Sequence, residues 1–152
     1  MKHKSRLIFI GILISLFILS LGSASAEMPD YIKIQNINME LHGTDATFTV
    51  NYELDAVARI YILMLGSSSL EPVIDDLFHE FNNVSTISTM YDHAVVKATD
   101  VTYQNPEQGL NYYFHDSCPF GTTVNLYVKF PSGVEREHLN VICTPNLFFE
   151  IS

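Results

Sequence analysis

The segment from Val57 to Asn83 constrains the fold more than any other part of the chain. It begins with an apolar run, Ile60 to Leu65, in which no polar residue alternates with the apolar ones. The run is too short to span a membrane, and such runs are typical of strands that are buried on both faces. Gly66 and three serines then interrupt it, which indicates a turn. We therefore expect a central buried strand over Ile60–Leu65.

A helical period follows this turn. Ser68 and Glu71 have the spacing of a capping box, and Pro72 falls in the first turn, where no backbone donor is needed. Asn82 and Asn83 can adopt the left-handed conformation that ends a helix. One helix is predicted over 70–81, with an apolar stripe that packs on the sheet. The stripe consists of Leu70, Val73, Ile74, Leu77, Phe78 and Phe81.

Residues 1–26 have the pattern of an export signal. Three basic residues precede an apolar core from Leu7 to Leu21, and Ala24-Ser25-Ala26 is a small-residue cleavage site. The alternative is an uncleaved anchor that faces outward from the cytoplasmic membrane, since Leu7–Ala26 is just long enough to span a bilayer. Either interpretation predicts that residues 27–152 are secreted or held at the cell surface.

The expected mature domain is acidic. It has 152 − 26 = 126 residues, which suits one domain, and its formal charge is 5 − 17 = −12 with His neutral. Nucleic acids and anionic lipids bind basic surfaces, so this charge argues against both as partners. We expect a protein or envelope component as the partner, with membrane contact only through residues 7–26 if they are retained.

Alternating apolar and polar residues predict strands over most of the remaining chain. The expected strands are Ile32–Leu41 with a bulge at Gln35-Asn36, Ala46–Leu54, Val84–Met90, Ala94–Tyr103, Leu110–Phe114, Val124–Phe130, Val134–Cys143 and Leu147–Ile151. The fold class that this pattern favours is mainly β, an antiparallel β-sandwich with one amphipathic crossover helix. The alternative is an α+β fold, a single curved antiparallel sheet packed on one helix.

Cys118 and Cys143 are the only cysteines in the chain. If Pro131-Ser132-Gly133 forms a three-residue hairpin, Cys143 lies opposite Gly121, a short turn from Cys118. An exported domain meets oxidising conditions in many organisms, so we expect a disulfide worth roughly 3 kcal/mol. The competing interpretation is a pair of reduced, buried thiols.

Four polar residues on the predicted helix are candidates for a metal site. Asp75 and His79 are four residues apart, as are Asp76 and Glu80, so that their side chains would share a face and could converge on a divalent cation. Two helix-borne ligands seldom complete a site, which favours a solvated polar face instead. His115-Asp116 and the cluster Glu135, Glu137 and His138 are interpreted as surface hairpin residues.

Two further features bear on binding. Asn83-Val84-Ser85 is an N-glycosylation sequon, which makes Asn83 a glycosylation candidate. Tyr112-Tyr113-Phe114 and Phe148-Phe149 place aromatic rings on both faces of their strands. Such a row either binds a sugar or a partner protein, or is covered on both sides.

The sequence favours a non-enzymatic binding or structural domain, exported and acidic, with no cofactor. The chain contains no motif for a nucleophilic triad, a metal site or a phosphate loop: Gly66-Ser67-Ser68-Ser69 lacks the spacing of a nucleophile elbow, and Glu71 would repel a phosphate. The alternative is a divalent-cation-binding protein or a metal-dependent hydrolase that uses the acidic helix face. A third hypothesis is an inhibitor or chaperone that offers an edge strand.

Overall fold

Alternating residues build most of the chain into strands. The computed structural model describes residues 29–105, 107 and 111–150, so the predicted export signal, Leu110 and Ile151 lie outside the described residues. The elements in chain order are β1 (Ile32–His42), β2 (Asp45–Leu54), α1 (Ala56–Leu65), a 3-10 turn (Ser67–Leu70), α2 (Glu71–Leu77), β3 (Val84–Thr89), β4 (His93–Ala98), β5 (Tyr103–Gln104), β6 (Tyr112–His115), β7 (Pro119–Lys129), β8 (Glu135–Cys143) and β9 (Leu147–Glu150).

The described strands form two sheets. The larger has the order β3-β4-β2-β1-β7-β8, and the smaller has the order β5-β6-β9. The prediction of a mainly β fold is confirmed. The large sheet is mixed, because β1 and β7 run parallel with Ile37 opposite Leu126, while its other pairs are antiparallel. A parallel pair needs a long crossover, and here the chain between β1 and β7 supplies it.

The first hairpin, β1 with β2, confirms the predicted bulge. The pairing of β1 with β2 shifts between Ile34 and Asn36. The extra residue restores the phase of the strand, so that Ile37, Met39 and Leu41 all point into the core and are at most 1% exposed. The hydroxyl of Tyr52 on β2 donates to the carbonyl oxygen of Met90 at 2.6 Å and ties this hairpin to the turn between β3 and β4.

One face of the large sheet carries the core. A cluster of four phenylalanine rings lies at its centre, with Phe48 of β2 packed 4.9 Å from Phe78 and 5.3 Å from Phe81 between ring centroids. Phe120 of β7 lies 5.9 Å from Phe78 in an edge-to-face arrangement. Tilted and edge-to-face rings are the favoured geometry for aromatic pairs. These rings hold the segment after α2 against the sheet.

The predicted helix is shorter than expected, but its apolar stripe is confirmed. Helix α2 ends at Leu77, and the backbone turns twice more before Asn83, whose φ of 50° is the left-handed conformation predicted there. Leu70, Ile74, Leu77 and Phe78 are buried, and Val73 and Phe81 are partly buried against them. The approach to β7 is close: a Cβ on Gly121 would stand 3.4 Å from the carbonyl oxygen of Asp76.

The capping-box prediction is wrong. Ser68 lies inside the 3-10 turn, and helix α2 begins after Leu70 without a side-chain cap. The serines bond elsewhere: Ser67 donates through its hydroxyl to the carbonyl oxygen of Thr89 at 2.6 Å, and Ser69 donates to that of Gly66 at 2.9 Å. Helix α1, the 3-10 turn and helix α2 follow one another directly, and Gly66 is the single residue that separates α1 from the turn.

The predicted central strand is also wrong, because Ile60–Leu65 forms the second half of helix α1. Only Ala58 and Ile62 of this helix are buried, a spacing of four that fits a helix lying along its support. The centre of the large sheet is occupied instead by β2 and β1, whose alternating residues suit one buried and one solvent-exposed face. No helix in the described ranges is long and apolar enough to cross a membrane.

The hairpin of β7 and β8 has the predicted turn but not the predicted disulfide. Phe130 pairs with Val134, and Gly133 takes a φ of 82°. The register then shifts twice between Pro119 and Leu126, so that Cys143 lies opposite Pro119 rather than Gly121.

Both cysteines are free thiols in the structure. The Cys118 thiol donates to the carbonyl oxygen of Glu80 at 3.4 Å. Burial, helped by the nearby Glu80 carboxylate, raises the pKa of Cys118 and so disfavours the reactive thiolate.

Candidate functional site

Helix α1 is set in place at both ends. Asp55 precedes it in extended conformation, and its carboxylate accepts a hydrogen bond from the backbone N–H of Ala58 at 2.7 Å. This is an N-cap, which satisfies one of the free backbone donors of the first turn. At the other end the N–H of Gly66 donates to the carbonyl oxygen of Ile62 at 2.8 Å, and a φ of 93° turns the chain away.

Most of the surface of α1 is apolar and exposed. Six of its ten side chains are large, apolar and between 55% and 86% exposed, and we refer to them together as the α1 face. The α1 face consists of Val57, Ile60, Tyr61, Leu63, Met64 and Leu65. Isolated exposed apolar residues are ordinary, but a contiguous patch on one helix marks an interaction surface.

A groove of about 420 Å³ runs beside the α1 face. Tyr31, Val57, Tyr61 and Leu70 line it, together with the buried side of α1. Tyr31 is fixed there because its carbonyl oxygen accepts the N–H of Asp55 at 3.0 Å. The chain that precedes β1 therefore enters the fold against this helix.

The charges near α1 are held at its base. Arg59 is the only charged residue within the helix, and its Nε donates to the carbonyl oxygen of Leu54 at 2.9 Å. One of its terminal nitrogens lies 3.5 Å from a carboxylate oxygen of Glu53. No acidic residue lies within Ala56–Leu65, although residues 27–152 carry a formal charge of −12. The α1 face is thus an uncharged area on an acidic domain.

The four predicted metal candidates are exposed and do not converge. Helix α2 ends before His79, so Asp75 and His79 are no longer neighbours on one helical face. The Asp75 carboxylate accepts from the hydroxyl of Thr86 on β3 at 2.7 Å. The His79 ring bonds through Nδ1 to the carbonyl oxygen of Asp76 at 2.8 Å, and its Nε2 lies 3.2 Å from Glu80. Among the described residues no three His, Cys, Asp or Glu side chains are grouped as metal ligands.

His115 was predicted at the surface but is 3% exposed. Its Nδ1 lies 2.7 Å from the carbonyl oxygen of Val101, which can only accept, so Nδ1 carries the proton. Its Nε2 therefore accepts from the hydroxyl of Thr144 at 2.7 Å. That hydroxyl oxygen accepts in turn from the backbone N–H of Cys118 at 2.8 Å. Burial lowers the pKa of His115, so the neutral ring is a structural link between β6 and the segment that follows β8.

The aromatic residues of the small sheet divide between its faces. Tyr103, Phe114, Phe148 and Tyr112 stack in a row on the outer face, with Tyr112 and Phe148 only 9° from parallel. Tyr113 and Phe149 pack together on the inner face, where Phe149 is buried. Two of these outer rings, Tyr103 and Phe148, are half exposed, while all four contact one another. The glycosylation candidate Asn83 is exposed after α2.

The sequence had indicated neither α1 nor its exposure. The available signals were Asp55 as an N-cap and the extension of the apolar run back through Ala56–Arg59 to a length of ten residues, which favours a helix over a strand. No protein-family model, curated protein or solved structure is detectably similar to this chain. The case for a function therefore depends on the geometry of the α1 face.

Proposed function

We propose that this protein is an exported, non-enzymatic binding domain whose contact surface is the α1 face and the adjoining groove. The observation that carries the proposal is the exposure of six large apolar side chains on a helix with a defined start and end. Moving such a side chain from water into an apolar contact is favourable by about 1.5–3 kcal/mol. A partner that covers several of them gains enough to bind without any charged contact.

The side chains of the α1 face contribute little to the stability of the fold. The helix is capped by Asp55, ended at Gly66 and packed through Ala58 and Ile62, none of which belongs to the α1 face. Leu63 and Met64 are 86% and 78% exposed, so exchanging them for polar residues removes little packing. A large apolar residue at such a position supports binding rather than folding.

Site-specific photo-crosslinking in cells that export the protein tests this proposal. A benzophenone amino acid replaces Leu63 on the α1 face in one variant and Val134 in the other. Val134 is a matched control because it is apolar, 52% exposed and located at the hairpin of β7 and β8. We expect light-dependent adducts at position 63 and few at position 134. Equal yields at the two positions would overturn the proposal.

A second measurement separates binding from misfolding. We expect Leu63→Asp and Met64→Asp to keep the thermal midpoint of the wild-type protein within a few degrees, because both side chains are exposed. A variant that combines both substitutions and carries the crosslinker in place of Tyr61 is expected to form no adducts. Adducts that persist with two carboxylates in the α1 face would show that this surface is not the one that binds.

A further inference from the structure

We infer that the α1 face lies in the interface of a lipid bilayer, with its side chains in contact with the lipid. The inference rests on the proposed function, for which it names the partner. It also extends the membrane contact expected from sequence, which was limited to residues 7–26, to a helix within the folded domain.

The position of the N-terminal segment supports a bilayer as the partner. The apolar core Leu7–Leu21 precedes the fold, and the chain enters it at Tyr31 in the groove beside α1. Five residue steps separate Ala26 from Tyr31, a reach of at most about 17 Å. An anchor at Leu7–Ala26 would therefore hold the α1 face close to the bilayer surface. If the segment is cleaved after Ala26, residues 27–30 connect the new N-terminus to Tyr31 in that groove.

The chemistry of α1 also suits a lipid interface. The helix has ten residues, about 15 Å, so it can lie in the interface but cannot cross the bilayer. Tyr31 and Tyr61 line the groove at its edge, and tyrosine is enriched at the depth where lipid headgroups meet acyl chains. Arg59 is bonded to Leu54 and Glu53 at the base of the helix, which leaves the α1 face itself without charge.

Charge favours an uncharged bilayer over a second copy of the chain. Two copies would each bring a formal charge of −12 in residues 27–152 to their contact, and like charges oppose that association. A zwitterionic bilayer has no net charge to repel the domain. The same argument disfavours anionic lipids, so phosphatidylcholine is the lipid class to test.

The absence of tryptophan from the sequence allows a direct test. Leu63→Trp places a single tryptophan on the α1 face of the full chain. Val134→Trp places one near the opposite end of the sheet. Helix α1 follows Leu54, which pairs with Ile32 at the start of β1. The hairpin at Val134 follows Lys129, which pairs with Glu40 near the end of β1. Both variants are incorporated into phosphatidylcholine vesicles with and without a nitroxide on the upper acyl chain.

We expect the nitroxide lipid to quench the L63W emission by about twofold or more, since an interfacial helix buries its apolar face some 5–10 Å below the headgroups. The V134W emission should be unchanged. Equal quenching at both positions, or none at position 63, overturns the inference.

The remaining outcomes separate this inference from the proposed function. Emission from L63W that shifts to the blue with protein concentration, without quenching, identifies a second copy as the occupant. The lipid inference then fails while the binding function stands. Unquenched L63W emission together with an absence of crosslinks at position 63 removes both.

Discussion

The carboxylate of Asp55 accepts a hydrogen bond from the backbone N–H of Ala58 at 2.7 Å. This contact begins helix α1 immediately after β2 and so orients the α1 face. Replacing an N-cap residue by Ala costs about 1 kcal/mol, with a range of roughly 0.5–2. We expect Asp55→Ala to lower the free energy of unfolding by that amount in urea denaturation. Asp55→Asn retains the cap and should stay within a few tenths of a kcal/mol; a loss as large as that of the Ala variant would contradict the capping role.

The ring of Phe48 on β2 packs against the segment that follows helix α2. It is fully buried between Phe78 and Phe81, so Phe48→Ala leaves a cavity and is expected to cost about 3–5 kcal/mol of unfolding free energy. Phe148→Ala is the matched control: its ring is half-exposed on the outer face of the small sheet and should cost about 1 kcal/mol. Chemical denaturation of both variants measures the difference. Similar losses for the two would mean that the core is not centred on Phe48.

His115 should make the fold sensitive to acid. Its pKa in the folded protein is lowered by burial, whereas in the unfolded chain it lies near 6.5. As the pH falls below about 6.5 the unfolded state takes up the proton first. The contribution of His115 to stability is therefore complete above that pH and is lost below it, by at most about 1.4 kcal/mol per pH unit.

The variant His115→Gln isolates this effect. We expect its unfolding free energy to change less between pH 8 and pH 5 than that of the wild-type protein, because one buried titrating group is gone. His79→Gln replaces an exposed histidine and is the matched control for the substitution itself: its free energy of unfolding at pH 8 should stay close to that of the wild-type protein. An unchanged dependence in the His115 variant would show that the ring is readily protonated in the fold.

Gly133 should resist substitution for a backbone reason alone. Its φ of 82° is in the left-handed region, and a Cβ added there would meet no atom within 4 Å. An L-residue in that conformation costs about 1–2 kcal/mol, so Gly133→Ala is expected to destabilise by that amount in urea. Gly133→Asn should cost less, because Asn tolerates this region. Ser132→Ala, one residue earlier in the same turn, serves as the control and should be nearly neutral.

Alternation predicted the sheet well because it reports which face of a strand meets the core. Ile37, Met39 and Leu41 gave the correct phase of β1 even across the bulge at Gln35-Asn36, since each strand is supported on one side only. The helical stripe from Leu70 to Phe78 was found for the same reason. Both patterns record burial directly, so the sequence alone was sufficient for the mainly β class and for the packing of α2.

Helix α1 was not predicted because most of its apolar side chains are exposed, so their positions in the sequence do not mark a buried face. Ile60, Leu63 and Met64 face water, so the run lacks the contrast between buried and exposed positions that separates a helix from a strand. The disulfide failed for another reason: two register shifts between Pro119 and Leu126 place Cys143 opposite Pro119, and the N–H of Thr144 donates to the carbonyl oxygen of Cys118. The two cysteines are therefore offset by one residue, and neighbouring side chains on a strand point to opposite faces. Bulges of this kind depend on tertiary packing that a single strand sequence does not contain.

The parallel pairing of β1 with β7 makes the large sheet depend on a segment that is synthesised late. β1 pairs locally with β2, but its other edge stays open until Leu126–Lys129 emerge, almost ninety residues after Ile37. Until then that edge offers unpaired backbone groups to other nascent chains. A chain truncated after Ser117 should accordingly aggregate, and light scattering would reveal it. The hairpin of β7 and β8 thus completes the large sheet late in synthesis, and a chain that lacks it leaves the free edge of β1 open to other chains.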